Sequence, residues 1–337
     1  MSPQPQDTSL QSRFFELADL ATPYSIRVAA TLGLVDLLPA STEQLAKQVD
    51  ANPAALHLLL QHLAIRGLLT ETAPGTFAVT GLGEFLGRDH PFGLRAALDL
   101  EGGLARSDQA ITRLLHSVRT GRAAYPELFG RSFWADLTAN PDMEAQFDQL
   151  TAATKPPGLF DEIAAGYDDW PSGHVVDVGG GTGEMLIAAL RARPDLRGSL
   201  VERAATAEAA RHKLAAAGLG SRATAIAGDI FQPLPAADLY LLVNVLHDWN
   251  DEDALAILRR CAEAGGPTAR MLVVERLDTS NDYIASTLNL RMLVTFGGRQ
   301  RTMDAFNSLA ASVDRTARLV HQTRWHALVE FTPETPS

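Results

Sequence analysis

A single cysteine, Cys261, is all the thiol this 337-residue chain contains. That excludes an intrachain disulfide framework, and with it the small stapled domains of secreted proteins. Positive charge is also in short supply: 29 Lys and Arg against 40 Asp and Glu leave a net charge of -11. Nothing in that balance draws the chain to nucleic acid or to anionic lipid. No apolar run is long enough to span a bilayer, and the opening "MSPQPQDTSLQS" has neither the basic start nor the apolar core of a secretory signal. Residence in the cytoplasm is the expectation. Internal repeats and low-complexity tracts are absent. The nine histidines show no H-x-x-x-H spacing and no Cys/His cluster, so no metal site is expected.

What remains is an ordinary globular composition, 46% hydrophobic and 20% charged, on a length that allows about two domains. Residues 14–38 carry helical apolar spacing that Pro23 is expected to interrupt. "STEQLAKQV" follows, with Ser41 as cap and Gln44 three residues on, a capping-box pattern. "NPAALHLLLQHLAIRG" places Asn52 as cap, Pro53 at the first helical position and Gly67 as terminator. "LLTETAPGTFAVT" then reads as two short strands around a Pro74-Gly75 turn. Helix, helix and hairpin is the order of a winged helix, which raises a transcriptional regulator as a rival reading. A helix that reads DNA needs Arg or Lys for phosphates and base edges. The helix from Pro53 to Arg66 offers one arginine at its end, two histidines and otherwise mainly leucine and alanine. That surface suits a homodimer interface better than a DNA groove.

Residues 90–170 read as mostly helical. Within them, Tyr125, Phe129, Phe133 and Trp134 are either ordinary core or the wall of a pocket for a flat ligand. From 174 onward strands alternate with helices, which predicts a parallel sheet covered on both faces. Strands are placed at "HVVDV", "GSLVE", "ATAIAG", "ADLYLLVN" and "ARMLVVE", and "RTARLVHQT" with "RWHALVEF" as a closing pair. Such a sheet binds ligands at the carboxyl ends of its strands.

The first of these strands ends in "DVGGGTGEM", where Gly179, Gly181 and Gly183 allow a tight turn and close approach of a ligand. A dinucleotide fingerprint fails, because its third glycine falls on Glu184 or Leu186, and Glu184 would repel a pyrophosphate at the helix start. An adenosine carrying a positive centre fits better. Glu202, at the second strand end, is placed for ribose hydroxyls. Asp229 in "GDIF", at the third, is placed for an adenine amine, with Ile230 or Phe231 packing on the ring. In "LLVNVLHDWNDED" the acids Asp251 to Asp253 suit a helix first turn, capped by Asp248 or Asn250. That leaves His247 unexplained at a strand mouth.

The series "VVDVGGGTGEM", "LVE", "GDIFQPLP", "VLHDWNDEDALAILRRCAEA", "LVVE" and "FGGRQRT" resembles that of the class I S-adenosylmethionine-dependent O-methyltransferases. More closely, the chain is similar to the bacterial group acting on aromatic polyketides such as anthracyclines, over about residues 14–331. The resemblance implies an α/β fold: a Rossmann-like domain at 171–332, a winged-helix-like dimerisation domain at 10–95, and a helical connection at 96–170 contributing to the acceptor pocket. It implies S-adenosyl-L-methionine as cofactor, held by Asp177, Gly179, Gly180, Gly181, Glu202, Asp229, Ile230, Phe231 and Asn244. It implies His247 as general base, with Glu275 to orient the imidazole and Asp248 beside it. The implied acceptor is a hydroxyl of an aromatic or polyketide natural product, with C-methylating or non-methylating chemistry as the alternative. Two positions depart from the family pattern: Gln300 where a second acid often stands, and Thr151 where a methionine is usual.

Overall fold

The computed structural model describes residues 5–153, 155–278 and 283–333. It divides into two compact units, one of Met1–Ala105 with Leu150–Thr154, the other of Arg106–Gln149 with Lys155–Ser337.

In the first unit, the helix break falls before Pro23 rather than at it. Helices Pro5–Ala18 and Ala21–Leu32 are separated by a turn in which the Asp19 carboxylate accepts from the N–H groups of Ala21 and Thr22 at 2.9 Å. Pro23 is the third residue of the second helix, where an N–H has no helical acceptor to lose. The capping box at Ser41 and Gln44 forms as its spacing predicts. Asn52 caps the helix Pro53–Ile65 with Pro53 at its first turn. Strand β1 (Ala40–Ser41) joins β2 (Leu69–Ala73) and β3 (Thr76–Val79) in the order β1-β3-β2; the sequence announced only the last two. Leu34, Leu45, Leu60, Leu63 and Phe77 are the buried centre of this unit, whereas Leu58 and Ile65 on the same helix as Leu60 are exposed.

The second unit is built on a seven-stranded sheet. Its strands are β4 (His174–Val178), β5 (Arg197–Glu202), β6 (Ala223–Ala227), β7 (Leu239–Val243), β8 (Arg270–Glu275), β9 (Arg315–Gln322) and β10 (Ala327–Pro333), in the order β6-β5-β4-β7-β8-β10-β9. β4 to β8 run parallel, and β10 turns antiparallel against both β8 and β9. Residues of β4, β7 and β8 are buried on both faces, as a covered parallel sheet requires. The predicted alternation has one exception. Between β6 and β7 no helix forms among residues 228–238, because Pro233 and Pro235 withhold the donors a helix would need. Strand order reverses at β4, whose neighbours are β5 and β7, and open sheets of this kind bind ligands at such a switch point.

Candidate active site

The register of the parallel strands decides which residues meet at the carboxyl edge. Asp177 pairs with Leu200 on one side and Leu241 on the other, so the ends of β4, β5 and β7 stand level. The amide of Gly179 donates to the Val201 carbonyl, that of Gly228 to Glu202, and that of Asn244 to Val274, each at 2.9 Å. The glycine turn, Glu202, the "GDIF" turn, Asn244 and Glu275 thus follow one another along a single edge.

The glycine turn is shaped by conformation and by space. Gly179 and Gly181 have φ of 67° and 57°, where a side chain is strained. A Cβ on Gly180 would come within 2.4 Å of the Asp177 carboxyl, whereas one on Gly181 would meet open space. Asp177 is fully buried and neither of its oxygens has a hydrogen-bond partner. Burial pushes its pKa up to about 7, against the pull of Lys155. A buried carboxyl without a hydrogen-bond donor has capacity left for one from a ligand. Glu202 accepts from the Arg203 N–H at 2.8 Å, and burial lifts its pKa as well. The Arg203 guanidinium lies 2.5 Å from Glu144 and 5.3 Å above the Trp134 ring, fixing the segment that carries Glu202. Acids beside an open glycine turn suit a ligand with an ammonium and a ribose diol. S-adenosylmethionine fits that donor set.

The "GDIF" residues divide. Asp229 is exposed and its Oδ1 takes the Phe231 N–H at 2.9 Å, while Ile230 and Phe231 are half-buried against the core. The Phe231 ring meets Trp249 edge-on at 4.7 Å, and Trp249 in turn stacks on Trp134 at 6.2 Å. Of the four aromatics left open by the sequence, Tyr125 and Phe133 are core; Phe129 and Trp134 are partly buried around them. Tyr125 donates to Asp136 at 2.5 Å.

Beyond β7, the chain makes one 3-10 turn, Leu246–Asp248, before Asn250 caps the helix Asp251–Gly265 through the Asp253 N–H at 2.9 Å. Asn250 rather than Asp248 is therefore the cap, which leaves Asp248 to the imidazole. His247 Nδ1 lies 3.4 Å from Glu275 Oε2, and Nε2 lies 3.4 Å from Asp248 Oδ1. The His247 backbone N–H donates to the other Glu275 oxygen at 3.1 Å. The side chain of His247 keeps 19% of its exposure, that of Glu275 only 1%. Burial opposes a charged imidazole, but Glu275 and Asp248 outweigh it and lift His247 to about 9. Burial raises Glu275 too, yet His247 holds it below the usual carboxylate range. Asp248 is pushed up to about 7 by burial, against the pull of His247.

Three residues near these acids carried no assignment in the sequence. His326, just before β10, shares a 3.1 Å hydrogen bond with Asn244 Oδ1, and burial drives its pKa down to about 4. Lys155 is held below its ordinary value by burial, although Glu184 and Asp177 favour its charge. Arg301 is fully buried beneath the His247 turn. "GGRQRT" held the signal for Arg301; nothing in the sequence distinguished the other two. Gln300 is buried, with its backbone N–H on Asn289 at 2.8 Å. Thr151 belongs to the other compact unit. Among the described residues no group of three or more His, Cys, Asp or Glu could hold a metal ion.

A family model for the O-methyltransferase domain matches residues 111–313. The chain belongs to that family. Over 320 residues it is 41% identical to 2,7-dihydroxy-5-methyl-1-naphthoate 7-O-methyltransferase of Streptomyces carzinostaticus, covering 94% of this chain and 96% of that one. It is 44% identical over 320 residues to aclacinomycin 10-hydroxylase RdmB of Streptomyces purpurascens, covering 92% and 85% respectively. The crystal structure of NcsB1, an O-methyltransferase from neocarzinostatin biosynthesis, in complex with S-adenosylmethionine and 2-hydroxy-5-methyl naphthoic acid, superposes with a TM-score of 0.88. That comparison has 40% identity and covers 94% of this chain and 98% of NcsB1. The fold is that of the class I S-adenosylmethionine-dependent methyltransferases.

Proposed function

We propose that this methyltransferase moves a methyl group onto a hydroxyl of an aromatic or polyketide natural product, with His247 as general base. The observation that carries the reading is the hold of Glu275 on His247, side chain and backbone together, at the sheet edge shared with Asp177 and Glu202. Asp177 and the turn Gly179–Gly181 would hold the methionine end of S-adenosyl-L-methionine, Glu202 the ribose, and Asp229, Ile230 and Phe231 the adenine, with Asn244 alongside. Bound there, the cofactor supplies an electrophilic methyl on a sulfonium. Glu275 keeps the proton on Nδ1 and leaves Nε2 to take the acceptor's proton. Asp248, beside Nε2, steadies the imidazolium that results. A phenol has an ordinary pKa near 10. His247 at about 9 lies within about 1.4 kcal/mol of it. The raised basicity supports proton removal from a phenol without a metal's help.

Residues 10–95 are proposed to pair two copies of the chain, an occupation suited to the exposed Phe14, Phe15, Leu17, Leu58 and Ile65. Residues 96–170 would add to the acceptor pocket, and 171–332 would carry cofactor and base. No described helix is long and apolar enough to cross a membrane. With its one thiol buried, the protein is proposed to work in the cytoplasm.

The similarity to a 10-hydroxylase supports one second reading, cofactor-dependent chemistry without methyl transfer; C-methylation is a further variant of it. Methyl-labelled S-adenosylmethionine, incubated with polyketide and simple phenols beside His247→Ala, separates these. Label on a phenolic oxygen, falling about tenfold or more in the variant, is expected. A product that changes without label while still requiring cofactor would replace the proposal with the second reading, and label on carbon would point to C-methylation.

A further inference from the structure

Arg301 is among the largest fully buried side chains of the described residues. Its Nη1 donates to the Leu246 carbonyl at 2.5 Å, its Nη2 to the Trp249 carbonyl at 2.8 Å, and its Nε and Nη2 to Asp251 Oδ1 at 3.1 and 3.0 Å. These acceptors flank His247 on both sides. The same segment grips the chain just past the strand that ends in Glu275: Arg301 pairs with Leu277 in an isolated parallel bridge, and its carbonyl accepts from the Asp278 N–H at 3.0 Å. Gly298 presses against the turn so closely that a Cβ there would lie 2.1 Å from the His247 carbonyl oxygen. A buried guanidinium that fully served only the fold would be an expensive device. This one holds the turn that carries the base, while the backbone of the same residue is tied to the chain just past the base's partner.

We propose that Arg301 is a positioning residue for the reaction: its guanidinium sets the His247 turn against Glu275 and places a fixed positive charge beneath the pair. The inference rests on the reading of His247 as base. The charged and titratable groups facing His247 are Asp248 from its own turn, Glu275 from β8, Arg301 from the segment after Gly298, and His326 from the turn before β10. Arg301 is the cation that most disfavours the protonated imidazole, so its charge keeps the base closer to its neutral form.

The test is an NMR titration of the His247 imidazole, assigned with His247→Ala, in wild type, R301Q and R301K. The cofactor affinity of each is measured beside it. In R301Q the His247 titration is expected to move to higher pH, with cofactor affinity within about twofold of wild type. R301K keeps the charge but reaches fewer carbonyls. It is expected to leave the titration near wild type and to broaden or lose the Nδ1–H proton resonance held by Glu275, which also carries the test if R301Q does not fold. With 1,4-dihydroxy-2-naphthoic acid as acceptor, kcat is expected to fall about tenfold or more in both variants, but not further when either is added to His247→Ala. An unchanged titration in R301Q and an unchanged Nδ1–H signal in R301K, in folded protein, would reduce Arg301 to a strut. Full activity in His247→Ala would instead overturn the base reading, and this inference with it.

Discussion

Glu275 holds His247 at two points, its Oε2 3.4 Å from Nδ1 and its Oε1 taking the backbone N–H at 3.1 Å. One carboxylate therefore faces both the ring and the backbone of the residue proposed as base. Glu275→Gln keeps the shape and removes the charge. The expected result is a kcat lower by about ten- to a hundredfold, with KM for S-adenosylmethionine little changed. The rise of the rate with pH should move to lower pH, because the imidazolium loses its principal counter-ion. Steady-state kinetics across pH would check both, and an unaltered profile would dismiss the carboxylate's electrostatic part.

His247, raised to about 9, makes a signed prediction about pH. A base must be neutral to accept a proton, so kcat/KM is expected to climb as pH rises through about 9. Stability runs the other way. The raised pKa contributes stability that is full below the unfolded value of about 6.5 and is lost as pH rises through about 9. Melting temperatures from pH 6 to 10 should decline in wild type more than in His247→Ala over the upper part of that range.

Asp177→Asn should separate binding from stability. The buried carboxyl has no hydrogen-bond partner on either oxygen, and an amide removes the burden of burying its charge. The cofactor-free protein is expected to melt higher. Affinity for S-adenosylmethionine should fall by about tenfold or more as a charged partner for the ammonium disappears. Calorimetric titration beside a thermal melt reads both signs. A variant that bound the cofactor as tightly as wild type would remove Asp177 from the site.

Gly298→Ala places a methyl where the His247 carbonyl already stands. The turn must shift, and the imidazole with it. A kcat loss of about a hundredfold is expected with cofactor affinity retained, measured on protein whose circular dichroism matches wild type.

Much of this was open to reading from the chain itself, and for physical reasons. Strands β4, β7 and β8 are nearly uninterrupted aliphatic runs because the sheet is covered on both faces. Caps at Ser41 and Asn52 declare themselves because a helix start leaves donors that only a few side chains can satisfy, whereas the third lay between Asp248 and Asn250 until the structure chose Asn250. The acids at successive strand ends were visible for a similar reason: register brings strand ends together wherever the strands are parallel. Other features left no such trace. The break at Asp19 depends on a carboxylate bonding two local amides, and proline's reputation as a breaker obscured it. The bare crossover from β6 to β7 hid behind the usual alternation, though Pro233 and Pro235 stood in plain view. Arg301 reaches a carbonyl 55 positions away, and a backbone carbonyl has no letter in the sequence. His326 and Lys155 reach their neighbours only once the sheet has formed.

Asp251 opens a helix and, through its Oδ1, also receives the guanidinium that spans the His247 turn. Fraying of that first turn would release both at once. Warming would then dim turnover before it melted the sheet beneath. An engineer seeking heat tolerance and one seeking a faster enzyme would find themselves working on the same few residues, Asn250 to Asp253, rather than on the large core that bears most of the weight.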